Sequence, residues 1–136
     1  MKIVVDTNVV FSGIFFGGLP GKILEDILSG VYQIVLSEEI VSEYKNVIVR
    51  YGRKKKVIDL SQSLEIIDLL ISCSLLIDAN GIVTPGCADP DDIKFLQAAM
   101  ASKAKYLISG DKHLLDVAEY PGGIVLKVHD FYRKNI

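Results

Sequence analysis

Residues 3–8 read IVVDTN, a short apolar run that ends in an aspartate. Aspartate is depleted in strands, and burying its charge without a partner is costly. Other segments, such as 32–37 (YQIVLS) and 106–109 (YLIS), are also continuous apolar or nearly apolar runs. Runs of this kind are typical of a parallel sheet with helices on both faces. In such sheets ligands bind beyond the carboxyl ends of the strands, so Asp6 falls where chemistry is expected.

The hydrophobic pattern predicts strands that alternate with helices along the chain. The predicted strands cover residues 2–6, 32–37, 74–78, 106–111 and 124–128. The predicted helices cover residues 21–30, 37–52, 59–73, 89–104, 111–118 and 129–135. We therefore expect an α/β fold in which residues 1–136 form a single domain.

The composition fits a soluble globular protein, since half of the residues are hydrophobic, 24% are charged and the net charge is −2. No apolar run approaches the ~20 residues of a membrane helix, and the N-terminal run is too short for a signal peptide. We therefore expect a cytoplasmic protein without membrane association. Cys73 and Cys87 show neither a disulfide framework nor a zinc spacing, so both are expected to be buried apolar residues.

Asp92 is the informative acid in the segment CADPDDIKFLQAA at 87–99. Helix capping explains Asp89 and the acids of the first turn, but it does not choose between them. Helical spacing favours Asp92, while Asp91 is rotated towards water. Asp92 shares a helical face with three apolar residues, Phe95, Leu96 and Ala99.

The same test of helical faces favours Glu43 in the helix predicted over 37–52. Glu43 sits at the edge of the apolar face, whereas Glu38 and Glu39 lie outside it. The alternative role for Glu43 is that of a surface acid paired with a neighbour such as Lys45.

Asp6 and Asp111 both follow predicted strand ends, and Asp92 begins a helix that is expected to pack on the same sheet. Each acid alone has a local explanation as a capping or turn residue. If Glu43 joins them, four carboxylates converge, and two carboxylates ~4 Å apart repel by several kcal/mol at an effective dielectric of about 20. Such a pocket requires raised pKa values or a bound cation, and oxygen ligands favour Mg²⁺ or Mn²⁺ over zinc. The pattern therefore predicts metal-assisted hydrolysis of a phosphodiester.

Four segments in order, VDTNVV, SEEIVSEY, DPDDIKFLQAA and LISGDKHLL, resemble the PIN-domain family, and within it the VapC-like toxins of type II toxin–antitoxin pairs. No single motif is highly specific, but the ordered set of four is, and it spans nearly the whole chain. The resemblance implies a three-layer α/β/α sandwich with a mostly parallel central sheet. It also implies an acidic Mg²⁺ or Mn²⁺ site that cuts RNA and leaves 5′-phosphate and 3′-hydroxyl ends.

Matched motif by motif, the resemblance implies catalytic roles for Asp6, Glu43, Asp92 and Asp111. The three aspartates would hold the metal directly or through water, with Glu43 completing the site. Asn8 and Ser109 match polar positions that support the acids through hydrogen bonds, although the family often has threonine where this chain has Ser109. Asp91 beside Asp92 leaves the register open by one residue.

The basic run RKKK is a candidate substrate-binding patch formed by Arg53, Lys54, Lys55 and Lys56. A solvated loop is the plainer interpretation of such a run, and contact with RNA phosphates is the alternative. The helices at 19–30 and 38–51 carry more apolar residues than one side of a small sheet requires, which predicts an interface. The family resemblance likewise implies a homodimer and an antitoxin bound across these helices.

Three alternatives stay open at this point. A phosphatase of the HAD type also begins with a strand that ends in Asp, but it normally has a second Asp where this chain has Asn8. The acids could instead cap helices in a non-catalytic binding module. The chain could also be an RNA-processing nuclease that works without an antitoxin.

Overall fold

The structure is a computed structural model that describes residues 1–55 and 60–134. Within these residues six strands form one sheet: β1 (Lys2–Val5), β2 (Gln33–Leu36), β3 (Leu75–Leu76), β4 (Tyr106–Ile108), β5 (Glu119–Tyr120) and β6 (Gly123–Leu126). The spatial order is β3-β2-β1-β4-β6-β5. All neighbouring pairs are parallel except β5 and β6, which are antiparallel. The carboxyl ends of the parallel strands therefore lie along one edge of the sheet.

The described residues also form seven α-helices and a 3₁₀ turn at Pro90–Asp92. The helices are α1 (Thr7–Phe15), α2 (Gly18–Leu28), α3 (Glu38–Lys55), α4 (Ser61–Ser72), α5 (Ile93–Ser102), α6 (Lys112–Val117) and α7 (Val128–Lys134). Successive strand residues point to opposite faces of a sheet, yet Ile3, Val4 and Val5 are all fully buried. Both faces of β1 are therefore covered, and the predicted α/β/α sandwich with a mostly parallel sheet is confirmed.

Helix α1 is an element that the sequence pattern did not predict. Its sequence, TNVVFSGIF, is rich in β-branched and aromatic residues, which have modest helix propensity. The helix nevertheless follows β1 directly, since the backbone carbonyl of Asp6 accepts hydrogen bonds from the N–H groups of Val9 (3.0 Å) and Val10 (3.2 Å). Both valines are buried in the core, so tertiary packing outweighs local propensity here.

The prediction of excess apolar surface on α2 and α3 is wrong. Of the ten apolar residues behind it, Leu19 and Leu28 are exposed. The other eight are buried or half-buried: Ile23, Leu24, Ile27, Ile40, Tyr44, Val47, Ile48 and Tyr51. The reason is helix α1, which packs against both α2 and α3 and takes up surface that the sequence pattern left uncovered. The homodimer therefore loses this support and stays a prediction.

Both cysteines are less buried than predicted. Cys73 is exposed because it lies at the end of α4, and Cys87 is half-buried in the segment before the 3₁₀ turn. Both are free thiols. Lys56 and the ends of the helices predicted over 59–73 and 129–135 lie outside the described residues.

Among the described helices, none combines the length and the apolar composition needed to cross a membrane.

Candidate active site

One cleft of about 230 Å³ brings together the acids that the sequence singled out. It is lined by Asp6, Thr7, Asn8, Glu43, Val47, Arg50, Asp89, Asp91, Asp92 and Asp111. Asp6 follows β1, Asp111 follows β4, Glu43 comes from α3 and Asp92 ends the 3₁₀ turn. Four segments distant in sequence thus place carboxylates at the same edge of the sheet.

Asp6 occupies the N-cap position of α1, but its carboxylate makes no capping hydrogen bond. Its Oδ2 instead accepts a hydrogen bond of 2.7 Å from the hydroxyl of Ser109. Burial raises the pKa of Asp6, and the charges of Asp111 and Glu43 raise it further, although hydrogen bonding to Ser109 acts in the opposite direction. Capping therefore does not account for this carboxylate, which is buried and faces other acids.

Ser109 connects Asp6 to Asp111. Its buried Oγ also accepts a hydrogen bond of 2.9 Å from the backbone N–H of Asp111. Asp111 is itself the N-cap of α6, since its Oδ1 accepts hydrogen bonds from the N–H groups of His113 (2.7 Å) and Leu114 (3.4 Å). One hydroxyl thus fixes two acids relative to each other. A serine is sufficient for both hydrogen bonds, so the departure from threonine leaves this support intact.

The support expected from Asn8 is not seen. Its side chain is exposed at the mouth of the cleft, and within the described residues it forms no hydrogen bond with an acid. The physical reason is its place in the first turn of α1, on the side that faces solvent.

Asp92 is buried in the cleft, whereas its neighbour Asp91 is exposed at the rim. Within the described residues, Oδ2 of Asp92 is buried and has no hydrogen-bond partner. Burial, followed by the charges of Asp111, Asp6 and Asp89 and by a side-chain hydrogen bond with Asp111, raises the pKa of Asp92 to about 7. Leaving a buried polar atom unsatisfied costs roughly 1–3 kcal/mol, and more for a charged group. A proton or a cation on Asp92 would remove this cost.

Glu43 reaches the cleft but is already paired. Its Oε1 lies 2.6 Å from Nζ of Lys94, and its Oε2 accepts a hydrogen bond from the hydroxyl of Thr7. The adjacent Tyr44 is buried and donates a hydrogen bond of 2.5 Å to the carbonyl of Val5. This contact ties α3 to the end of β1, so Glu43 is held close to Asp6.

Sequence reasoning missed two cations in and around the cleft, Lys94 and Arg50. Among the described side chains, Glu43 pairs with Lys94 rather than with Lys45, the neighbour considered from the sequence. A lysine in the first turn of a helix opposes the helix dipole, and this unusual position of Lys94 could have marked it. Arg50 lies seven residues after Glu43, a spacing that places it on the same side of α3.

The basic run lies only partly near the acids. Lys54 lines a neighbouring cleft, whereas Arg53 and Lys55 are exposed on α3 and line neither of the two clefts. Lys56 lies outside the described residues. Of the predicted cations in the described part of α3, Lys54 is therefore the one that lines a cleft, and the role of the run in substrate binding stays a prediction.

The chemistry of the donors fits a hard divalent cation, because crowded carboxylates with one unsatisfied oxygen need positive charge. Within residues 1–55 and 60–134, however, no three side chains of His, Cys, Asp or Glu form a group that could hold a metal ion by themselves. Mg²⁺ commonly keeps several waters and binds through one or two carboxylates plus substrate phosphates. The cleft therefore fits a partly hydrated Mg²⁺ or Mn²⁺ rather than a fully enclosed ion.

The raised pKa of Asp92 predicts how the stability of the metal-free protein depends on pH. The carboxyl has a pKa of 3.8 in its unperturbed form and about 7 in the folded protein. Between these values the folded state holds a proton that the unfolded state has lost, so the free energy of unfolding falls as pH rises. The free energy of unfolding falls by at most about 1.4 kcal/mol per pH unit, and this fall levels off above pH 7.

We expect the Tm in EDTA to fall between about pH 5 and pH 8, and Asp92→Asn to flatten this fall. Asp91→Asn is the matched control, because the neighbouring acid is exposed and should leave the profile unchanged. Thermal melts of the three proteins across this range check the prediction. Parallel profiles for the wild type and Asp92→Asn would contradict it.

Known proteins match this chain in sequence and in fold. A family model described as PIN domain matches residues 2–113, a span that contains the four predicted catalytic acids. The uncharacterised protein MJ1680 of Methanocaldococcus jannaschii is 32% identical over 120 residues, covering 88% of this chain and 76% of the relative.

A solved structure shows the same fold. It is a chain from the crystal structure of VapBC2 from Rickettsia felis bound to a DNA fragment from their promoter. The match has a TM-score of 0.59 at 16% identity and covers 92% of this chain and 97% of that chain. Since the family model covers most of the sequence, the chain belongs to the PIN-domain family, whose members are generally nucleases.

Proposed function

We propose that this protein is an endoribonuclease that hydrolyses phosphodiester bonds of RNA with Mg²⁺ or Mn²⁺. The observation that carries the proposal is the buried, unpaired Oδ2 of Asp92 among the carboxylates of one cleft. Helix capping does not require this oxygen, because Asp89 caps the turn by accepting a hydrogen bond of 3.0 Å from the N–H of Asp91. A divalent cation would satisfy the oxygen and neutralise the cluster.

In this proposal Asp6, Asp92 and Asp111 hold the ion, directly or through water. When bound, the ion supplies a water of lowered pKa and stabilises negative charge on the phosphate. Ser109 positions Asp6 and Asp111 through its two hydrogen bonds, so the carboxylates that follow two different strands keep a fixed relation. No histidine is needed as a general base, which agrees with the exposed positions of His113 and His129.

Glu43 has a different role from the three aspartates. Both of its oxygens are engaged, one by Lys94 and one by Thr7, so we infer that it holds the Lys94 ammonium instead of binding the ion. The side chains of Lys94 and Glu43 are 22% and 26% exposed, so the ion pair can be reached from solvent. It thereby places a positive charge beside a cleft that must admit a phosphate.

The test is cleavage of a labelled single-stranded RNA, with single-stranded DNA of the same sequence as the comparison. We expect RNA to be cut in Mn²⁺ or Mg²⁺ and to stay intact in EDTA. A second readout is independent of activity: at pH 8, Mn²⁺ should raise the Tm because the cation binds only the folded site. Asp92→Asn should lose most of this thermal shift. Intact RNA in both metals, with no thermal shift, would overturn the proposal.

The cellular role that we propose is that of a cytoplasmic toxin with an antitoxin partner. The support is the fold likeness to a chain of VapBC2, a likeness at 16% identity. A short upstream reading frame that encodes a DNA-binding protein would agree with this role. Its absence would favour the alternative, an RNA-processing nuclease. A homodimer is part of the same proposal, and sedimentation as a clean monomer of 15.0 kDa would exclude it.

A further inference from the structure

We propose that a second cleft beside the acids binds the nucleotide next to the scissile phosphate by stacking its base, an inference that rests on the proposed ribonuclease function. The cleft has a volume of about 370 Å³. It is lined by Asn8, Phe11, Val47, Arg50, Tyr51 and Lys54, and we refer to it as the aromatic–basic cleft. Asn8, Val47 and Arg50 also line the acidic cleft, so the two are continuous between α1 and α3.

Two aromatic rings in the lining of this cleft contact each other. The ring centroids of Phe11 and Tyr51 are 4.8 Å apart and the planes meet at 82°, edge to face. The two rings are therefore not stacked flat on each other, and both residues are only half-buried, so part of their surface is open to solvent. Phe15 lies outside the lining and supports both, with centroids 4.9 Å from Phe11 and 4.6 Å from Tyr51. Supported aromatic rings are the platforms on which bases of single-stranded nucleic acid stack.

Two cations complete the aromatic–basic cleft. Arg50 and Lys54 lie one helical turn apart on α3, and both are exposed. Neither forms an ion pair within the part of the chain that the structure describes, although Nε of Arg50 donates a hydrogen bond of 3.4 Å to the carbonyl of Asn46. Both charges are therefore available to phosphate oxygens.

Single-stranded RNA matches this combination of surfaces. It presents planar bases and regularly spaced phosphates, which aromatic faces and basic side chains recognise together. An aromatic cluster that only packs α1 against α3 would not need cations at its rim. An apolar protein segment would likewise make no use of Arg50 and Lys54. Continuity with the acidic cleft places the bound nucleotide beside the proposed site of cleavage.

The test measures RNA binding in an Asp6→Asn background, in which cleavage is expected to be lost. Binding of a single-stranded RNA that carries 2-aminopurine is followed by anisotropy and by base fluorescence. Tyr51→Leu should weaken binding about tenfold and reduce the quenching of the base, because leucine keeps an apolar contact with Phe15 but offers no ring face. Tyr32→Leu is the matched control, since Tyr32 is a half-buried tyrosine like Tyr51 and lines neither cleft.

A second pair of variants tests whether the positive charge of Lys54 contacts a phosphate. Lys54→Gln should lower the slope of log affinity against log salt by about 0.7, the value for one phosphate contact on a single strand. Lys55→Gln changes the same charge on the next residue, outside both clefts, and should leave the slope unchanged.

Failure of this inference is distinct from failure of the proposed function. If the wild type cleaves RNA, but Tyr51→Leu and Lys54→Gln bind like their parent, then the aromatic–basic cleft is not an RNA subsite and is free to serve a protein partner. If the wild type does not cleave RNA in Mn²⁺, the proposed function fails first. If a thermal melt shows that Tyr51→Leu does not fold, Phe11→Leu on α1 replaces it in the same binding measurements.

Discussion

Asp6→Asn is expected to reduce RNA cleavage at least about 100-fold while the fold is kept. Mutating a group that only orients a metal ligand already costs about 10–100-fold, and Asp6 is proposed as a ligand itself. Asparagine has nearly the same size, and its carbonyl oxygen can still accept the hydrogen bond from Ser109 that Asp6 accepts at 2.7 Å. Initial rates on a labelled RNA in Mn²⁺, together with thermal melts in EDTA, check both halves of the prediction.

The melts should show that metal-free Asp6→Asn is at least as stable as the wild type. Burial and the charges of Asp111 and Glu43 raise the pKa of Asp6, so its negative charge opposes folding when no cation is bound. Asp116→Asn is the matched control, because Asp116 is an exposed acid on α6 and its removal changes net charge equally. Full cleavage by Asp6→Asn would exclude Asp6 from the site. A folded but much less stable variant would mean that the carboxylate is structural.

The sequence pattern predicted the parallel strands, because strands buried on both faces are continuous apolar runs, as in KIVV and QIVL. It was insufficient for helix α1, whose residues favour other conformations and are held by burial against α2 and α3. It also missed the antiparallel edge strand β5, which has only two residues, Glu119 and Tyr120. Missing α1 led directly to the wrong estimate of exposed apolar surface, since the surface assigned to an interface is covered within the chain.

The positions of the acids followed from periodicity and strand ends, but their pairing did not. Helical spacing separates buried from exposed residues on one helix, and it favoured Asp92 over Asp91 although both lie in the 3₁₀ turn that precedes α5. It carries no information about which residue of another element lies opposite. The Lys94–Glu43 ion pair joins residues 51 positions apart, and the Ser109–Asp6 hydrogen bond joins residues 103 positions apart. Such contacts depend on the packed sheet, so the sequence pattern could not supply them.

Asp92→Asn and Asp91→Asn form the sharpest pair of variants that the chain offers. The two acids are adjacent, carry the same charge and both line the acidic cleft. They differ in burial, since Asp92 is 8% exposed with an unsatisfied Oδ2, whereas Asp91 is exposed at the rim. Any effect of net charge on RNA binding is therefore shared by the two variants, and a difference between them reports the position of the carboxylate.

We expect Asp92→Asn to lose at least about 100-fold in RNA cleavage and Asp91→Asn to stay within about threefold of the wild type. The reason is geometric: a buried carboxylate beside Asp6 and Asp111 can bind a cation with them, directly or through water, whereas an exposed carboxylate is solvated instead. Cleavage rates in Mn²⁺ show which of the two variants loses more activity. The Mn²⁺-induced rise in Tm at pH 8 should be lost in Asp92→Asn alone. Equal losses in the two variants would indicate a general effect of negative charge. The reverse order would move the catalytic carboxylate to the rim and reject the assignment of Asp92 from its helical face.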